Sequence, residues 1–384
     1  MDAHGRSGAG ARGMIYLDYQ ATTPLAPEAR AAMLPFLTEK FGNPHSPHRM
    51  GREAAAAVEV AAARVSAALG QGHEAGRLIF TSGATESANW AIQGALRGRR
   101  GRIVTIATEH ACVLDTARAV AAWGGELIIL PVDAEGLVDL EAAAAAIDGD
   151  TALVAAMLVN NEIGVIQPVE ALAALAHEAG ALFFCDAVQA YGRVPVPLDA
   201  CDMVAISAHK VHGPKGIGAL WLRDGIDLPP LLFGGGQQAG LRSGTLSPAL
   251  CAGFGAAAAL LAERGQADAA HVAALWTRGW ELLGEGWTLN GSPDRRYRGN
   301  LNIWREGVDA ARLISELRDI VFSAGSACAS GSGRLSHVLS ALGLSDSAAR
   351  SSIRLGFGRY TTMDELEQGL GAIAKAAARQ REWA

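Results

Sequence analysis

The sequence offers no Cys-x-x-Cys pair: its five cysteines, Cys112, Cys185, Cys201, Cys251 and Cys328, form an odd and scattered set. That pattern fits neither a disulfide framework nor a zinc site, and it implies a reducing compartment. No metal is expected. Positive charge is in deficit, with 33 Lys and Arg against 39 Asp and Glu and a formal net charge of −6. Nucleic acid and anionic membranes both need a basic surface, so neither is expected as a partner. Long apolar runs are missing too. The longest candidate, residues 252–262, contains Gly253 and Gly255 and falls well short of the ~20 residues a membrane span needs. Residues 1–13 are rich in Gly, Ala and Arg but lack the apolar core of a secretion signal. The expectation is a soluble, cytoplasmic chain with a frayed N-terminal tail.

What is present is enough chain for a substantial core: 384 residues, half of them hydrophobic, which favours two domains. From residue 77 to 222, short β-rich runs alternate with Ala-rich helical stretches. That alternation is the pattern of a mainly parallel sheet covered by helices, an α/β fold. The predicted strands are 78–80, 103–107, 126–131, 153–159, 182–185, 203–206 and 218–222, seven in all. A helix is predicted over 169–179, where Val169, Leu172, Ala176 and Ala179 repeat at helical spacing. After Ala249 the character changes to long Ala/Leu helices, 252–264 and 267–283, then to separated strands around 301–304 and 353–355. A smaller α+β domain is expected over 250–384, with 26–249 as the large domain and 1–25 as a tail and a segment packing with the small one. No repeat at a solenoid period is visible.

In open α/β sheets ligands sit beyond the carboxyl ends of the strands, so functional groups placed just after strands carry the most information. Thr81-Ser82-Gly83-Ala84-Thr85-Glu86-Ser87 follows the first strand and opens a helix. It reads either as a phosphate cradle, built from backbone N–H groups and the Thr85 hydroxyl, or as an ordinary capped turn. Asp186 follows an apolar strand that a sheet would bury. An ionised carboxylate there needs a cationic partner, such as a protonated pyridine nitrogen, unless it merely caps the next turn. Gln189, three residues on, is placed to hydrogen-bond an oxygen of the same ring. Lys210 ends the next strand beside Ser207 and His209. It is either a loop lysine or the amine of a Schiff base, and its joint occurrence with Asp186 and the phosphate turn favours a pyridoxal site. Finally, Cys328 lies in a run of Gly, Ala and Ser from 323 to 333 that offers almost no side-chain bulk. It reads as a thiol presented on a flexible loop, or as a small residue in a linker. The other four cysteines lie in or beside apolar elements, where a free cysteine is usually an inert hydrophobe.

Seven segments together carry a resemblance. They are Tyr16-Leu17-Asp18-Tyr19 with Ala21-Thr22-Thr23-Pro24, the Thr81–Ser87 turn, Asn160-Asn161-Glu162-Ile163-Gly164, Ser207-Ala208-His209-Lys210, Arg242-Ser243-Gly244-Thr245, Gly325-Ser326-Ala327-Cys328 and Ser351-Ser352-Ile353-Arg354. In this order the chain resembles the cysteine desulfurases of the NifS/IscS type, from about residue 14 to 379. The resemblance implies the aminotransferase-like fold of pyridoxal 5'-phosphate enzymes and a homodimer with its sites at the subunit interface. It implies that Lys210 bonds the cofactor, His110 stacks on its ring, and Asp186 and Gln189 meet the ring nitrogen and oxygen. Ala84, Thr85, Ser207 and His209 would hold the phosphate, joined by Thr245 from the other subunit. Asn161 and Arg354 would fix the substrate carboxylate, and Asn43 would line the entrance. Without the resemblance His110 reads as a core histidine, Arg354 as a surface ion pair and Asn43 as a turn residue.

The implied reaction takes sulfur from L-cysteine, leaves alanine, and loads a persulfide on Cys328 for an acceptor protein, either an iron-sulfur scaffold or a thiolation enzyme. Longer members of the type carry a C-terminal extension used in docking the scaffold, and the sequence stops at Ala384, which leaves the acceptor open. The alternatives are a selenocysteine lyase, a related aminotransferase, or a sulfur carrier that no longer catalyses.

Overall fold

The computed structural model describes residues 13–70, 76–97, 101–325 and 335–382. Cys328 lies outside them. The strands run β1 Ile15–Tyr16, β2 Gly76–Thr81, β3 Arg102–Ile106, β4 Glu126–Leu130, β5 Thr151–Met157, β6 Leu182–Asp186, β7 Met203–Ser207 and β8 Gly218–Arg223. They continue with β9 Thr288–Leu289, β10 Asn300–Trp304, β11 Ile320–Val321, β12 Ser323–Ala324 and β13 Ser352–Gly356. The helices used below are α1 Pro27–Thr38, α2 Arg49–Ala67, α3 Ala84–Leu96, α4 Ala111–Ala121, α5 Leu140–Ala146, α6 Val169–Glu178 and α7 Pro248–Leu283.

Seven strands form the main sheet in the order β2-β8-β7-β6-β5-β3-β4. Pairing is parallel from β4 through β7, and β8 alone runs antiparallel to both its neighbours. The central strands are apolar almost without break because both faces are covered. Successive side chains enter different cores: Leu153 and Ala155 pack with Trp90 and Val113 under α3 and α4, whereas Val154 and Ala156 pack with Val65 and Leu172 under α2 and α6. Phe183 and Phe184 divide in the same way, as do Met203 and Val204. This period of two is the geometry of a pleated strand.

The chain leaves β3 toward β4 on one side and resumes with β5 on the other, so the strand order reverses between β3 and β5. Ligands in open α/β sheets settle at such a reversal, outside the carboxyl ends of the strands. Ile106, Met157, Asp186 and Ser207 all end parallel strands on that edge. Thr81 joins them, because β8 reverses direction and pairs Gly218 with both Thr81 and Ser207.

A second, antiparallel sheet of order β12-β13-β10-β9 packs with the end of α7 and with the helix Met363–Glu382 around Leu275, Leu301, Leu355 and Ile373. The N-terminal segment belongs to this side: β1 pairs with β11, Leu17 is buried in the same core, and Asp18 bridges to Gly356.

One expectation is corrected here. Residues 252–264 and 267–283 are not two helices but parts of α7, a single helix of 36 residues and about 54 Å. Gly265 costs about 1 kcal/mol in a helix interior, too little to break a helix that packing supports at both ends. Phe254 and Ala258 anchor its first half in the main core, and Val272 and Leu275 anchor the second half in the other. Its start is capped by the Ser247 hydroxyl, which accepts from the Leu250 N–H, and followed by Pro248 at the first turn. Gly255 is needed for contact: a Cβ there would lie 2.7 Å from the Cα of Ala61, so only glycine lets α7 meet α2.

Candidate active site

A cavity of 870 Å³ opens at the reversal point, and ten of the residues singled out from the sequence line it: Ala84, Thr85, His110, Asn161, Asp186, Gln189, Ser207, His209, Lys210 and Arg354. These residues come from positions up to 270 apart in sequence, and the strand ends bring most of them together. Asn43 and Thr245 are not among the lining residues. Asn43 is exposed, and its side-chain oxygen accepts the His45 N–H, closing a local turn. Thr245 is exposed on the loop before α7.

On one wall, the phosphate turn forms the start of α3, with Gly83 as its N-cap. A Cβ on Gly218 would lie 2.6 Å from the Ile206 carbonyl oxygen and 2.8 Å from Gly83 Cα, so β8 is pressed directly against the turn. The helix start leaves backbone N–H groups without intrahelical partners, a setting suited to an anion. Glu86 faces away from that role, pairing with Arg242 at 2.8 Å and accepting the Ser82 N–H. His209 shares a hydrogen bond with the Thr22 hydroxyl, and burial pushes its ring down to about 4, so it is neutral at pH 7.

Asp186 ends β6, and Lys210 lies three residues past the end of the adjacent β7. The Asp186 carboxylate is buried, and the Val188 N–H fixes one of its oxygens. Burial raises its pKa, while the backbone hydrogen bond and the charges of His110 and Lys210 lower it. A cation in the cavity would therefore hold it ionised. The Lys210 ammonium donates to the backbone oxygens of Gln20 at 2.5 Å and Ala21 at 2.8 Å. Gln189 is already engaged, donating to Gln20 O at 2.9 Å and accepting from Arg193. His110 caps α4 through its ring nitrogen, which accepts the Cys112 N–H. Burial lowers its pKa, outweighing the Asp186 charge, so the ring is uncharged at neutral pH.

On the opposite wall, Arg354 projects from β13 and is 1% exposed. Its guanidinium pairs with Asp18 at 2.8 Å and donates to the Asn161 carbonyl at 3.1 Å, while its buried Nε has no partner among the described residues. The Ser323 hydroxyl donates to the other oxygen of Asp18. Asp18 thus aims Arg354, and sequence reasoning missed that role.

Two further acids were also missed. Glu109, next to His110 in sequence, is fully buried and accepts the Met157 N–H; burial and the nearby Asp186 charge raise its pKa against the pull of that hydrogen bond. Glu162 lines the cavity, accepts from the Ser336 hydroxyl, and is pushed up to about 7 by burial. Each directly follows or precedes a residue of interest, and that adjacency was the available signal. Cys112 also lines the cavity, with burial raising its thiol pKa.

A family model described as aminotransferase class-V matches residues 15–368. The chain is 42% identical over 379 residues to a protein named cysteine desulfurase IscS from Rickettsia bellii, covering 96% of this chain and 92% of that one. Among solved structures, a NifS-like protein superposes with a TM-score of 0.88 at 32% identity, covering 95% of this chain and all of that one. Another, solved as SspA in complex with cysteine, gives a TM-score of 0.82 at 33% identity over 90% of this chain and 99% of that one.

Proposed function

Because the chain belongs to the aminotransferase class-V family, and within it to the cysteine desulfurases, we propose that it takes sulfur from L-cysteine, leaving alanine and a persulfide on Cys328. The observation that carries this reading is the shared cavity: an amine, a buried acid, an uncharged imidazole and a buried guanidinium converge on space for a cofactor and an amino acid. The cofactor of this family is pyridoxal 5'-phosphate, and the residues fit it. Asp186 needs a cation, the start of α3 suits a phosphate, and Arg354 keeps a buried N–H unpartnered. When bound, the cofactor supplies a covalent anchor for amines and an electron sink.

The chain's own groups divide the remaining work. The start of α3 with Ser207 and His209 holds the phosphate, and Thr245 of the partner subunit completes the hold in a homodimer. Asp186 keeps a proton on the ring nitrogen, and Gln189 orients the ring through its oxygen. Arg354 binds the substrate carboxylate, for which its two-pronged donor geometry is suited, and Asn161 sits beside it. Lys210 Nζ moves the proton at the substrate Cα. His110, uncharged, takes the proton from the Cys328 thiol, so that the thiolate forms an S–S bond to the substrate sulfur as the C–S bond breaks; the carbon keeps the electron pair of that bond, is protonated and leaves as the methyl group of alanine. Asn43, which is not among the lining residues, is given no part in this reading. Residues 26–249 hold the cofactor, while 250–384, with the N-terminal segment, present the thiol. The acceptor is an iron-sulfur scaffold or thiolation protein, and the setting is cytoplasmic; no helix among the described residues is long and apolar enough to cross a membrane.

The test replaces Cys328→Ser and, separately, Lys210→Ala, and measures sulfide and alanine released from L-cysteine together with the visible absorption of the cofactor. Cys328→Ser should lose sulfide release while keeping the cofactor band, and mass spectrometry of the parent should find one added sulfur on Cys328. Lys210→Ala should lose the band of the covalently held cofactor. Full activity in Cys328→Ser would exclude the mechanism.

A further inference from the structure

Lys210 borders a second cavity, of 260 Å³, which lies against the middle of α7. Among the described residues that line it are four arginines, Arg193, Arg296, Arg298 and Arg359, and one carboxylate residue, Asp268. Such an imbalance is costly in a buried setting unless an anion offsets it.

Two of these arginines also have incomplete hydrogen bonding. Arg359, with its side chain 3% exposed, commits Nε and Nη2 to Asp268 at 2.7 and 2.6 Å and leaves a buried Nη1 without a partner. Arg296, 5% exposed, gives its two terminal nitrogens to the carbonyls of Asn290, Ser292, Ile163 and Asn300, with no carboxylate among them. Its buried Nε is also unpartnered. Arg298 is exposed at the rim, 5.4 Å over the Trp276 ring. Arg193 connects the two cavities, because its guanidinium also holds the Lys210 carbonyl at 2.7 Å and the Gln189 side chain.

We propose that this second cavity is a binding site for a small oxyanion, a phosphate-like or carboxylate ligand. Planar guanidinium groups match the paired oxygens of such ligands. The desulfurase reading does not require this site, and none of the roles assigned above uses Arg296, Arg298 or Arg359.

Isothermal titration of the cofactor-loaded protein tests the site with inorganic phosphate and separately with acetate, and the variants below distinguish binding here from an anion taken up at Arg354. Saturable binding of at least one anion, one per chain, is expected; phosphate alone assigns a doubly charged ligand, and acetate alone a carboxylate. Arg298→Glu, a reversal at an exposed position, should weaken that binding at least tenfold. The same reversal at Arg295, which is exposed but outside the lining, should leave it within threefold. The proposal is overturned if neither anion binds saturably, or if the two reversals behave alike.

Discussion

Glu162→Gln should make the protein more resistant to unfolding at pH 8 and leave it nearly unchanged at pH 5. Glu162 is 4% exposed, and burial pushes its carboxyl from 4.5 up to about 7, against the opposing pull of the Ser336 hydroxyl and of Arg354. Between those two values the folded chain keeps a proton that the unfolded chain has lost, so stability falls as pH rises through the window. At about 1.36 kcal/mol per pH unit the full cost is about 3 kcal/mol, and about 2.5 kcal/mol of it falls between pH 5 and pH 8. The replacement amide would keep an oxygen for the Ser336 hydroxyl and carry no charge, so it escapes the cost. The backbone of residue 162, which accepts from the Asn300 and Asn302 side chains at 2.9 Å, is untouched. With an unfolding entropy of about 2.1 cal/mol/K per residue, the gain corresponds to roughly 3 °C in Tm. Calorimetric scans of parent and variant at pH 5 and pH 8 bracket the sequence pI of 5.9 and cancel the histidines common to both. A difference in Tm that is the same at both pH values would refute the reasoning.

Gly218→Ala should cost about 1–3 kcal/mol, because the new methyl must displace the Ile206 carbonyl or the Gly83 turn. Absorbance titration with the cofactor should show its affinity falling at least tenfold, and unchanged affinity would remove the turn from the phosphate site. For Arg354→Gln, loss of one partner from a buried charge pair costs about 2–5 kcal/mol, which predicts a fall of roughly 30-fold or more in kcat/KM for L-cysteine. Its Tm should drop as well, since Asp18 is left buried beside a neutral group. Steady-state alanine production within threefold of the parent would separate Arg354 from the substrate.

The main sheet was legible because strand alternation is a local property. Phe183 and Phe184, or Met203 and Val204, are neighbours in sequence that the pleat sends to opposite faces, and apolar residues at both positions announce a sheet covered on two sides. Groups at strand ends, such as Asp186, Ser207 and Lys210, were legible for the same reason: the place where an apolar run stops can be read from the run itself. Helix α7 was misread because Gly265 is a local signal outvoted by two distant cores.

Sequence alone, then, determined the element types and the edge of the sheet at which chemistry collects, and it singled out an amine, an acid and a thiol as candidates. The tertiary structure decided which charges face one another. Asp18 and Arg354 stand 336 residues apart and meet at 2.8 Å only because β1 and β13 are carried into the same sheet region. Glu162 becomes a near-neutral acid only once burial removes its water, and the arginines around Asp268 form a cavity only when α7 is folded against them. Coulomb energy and desolvation depend on distance and exposure, and neither quantity exists until the chain has closed on itself.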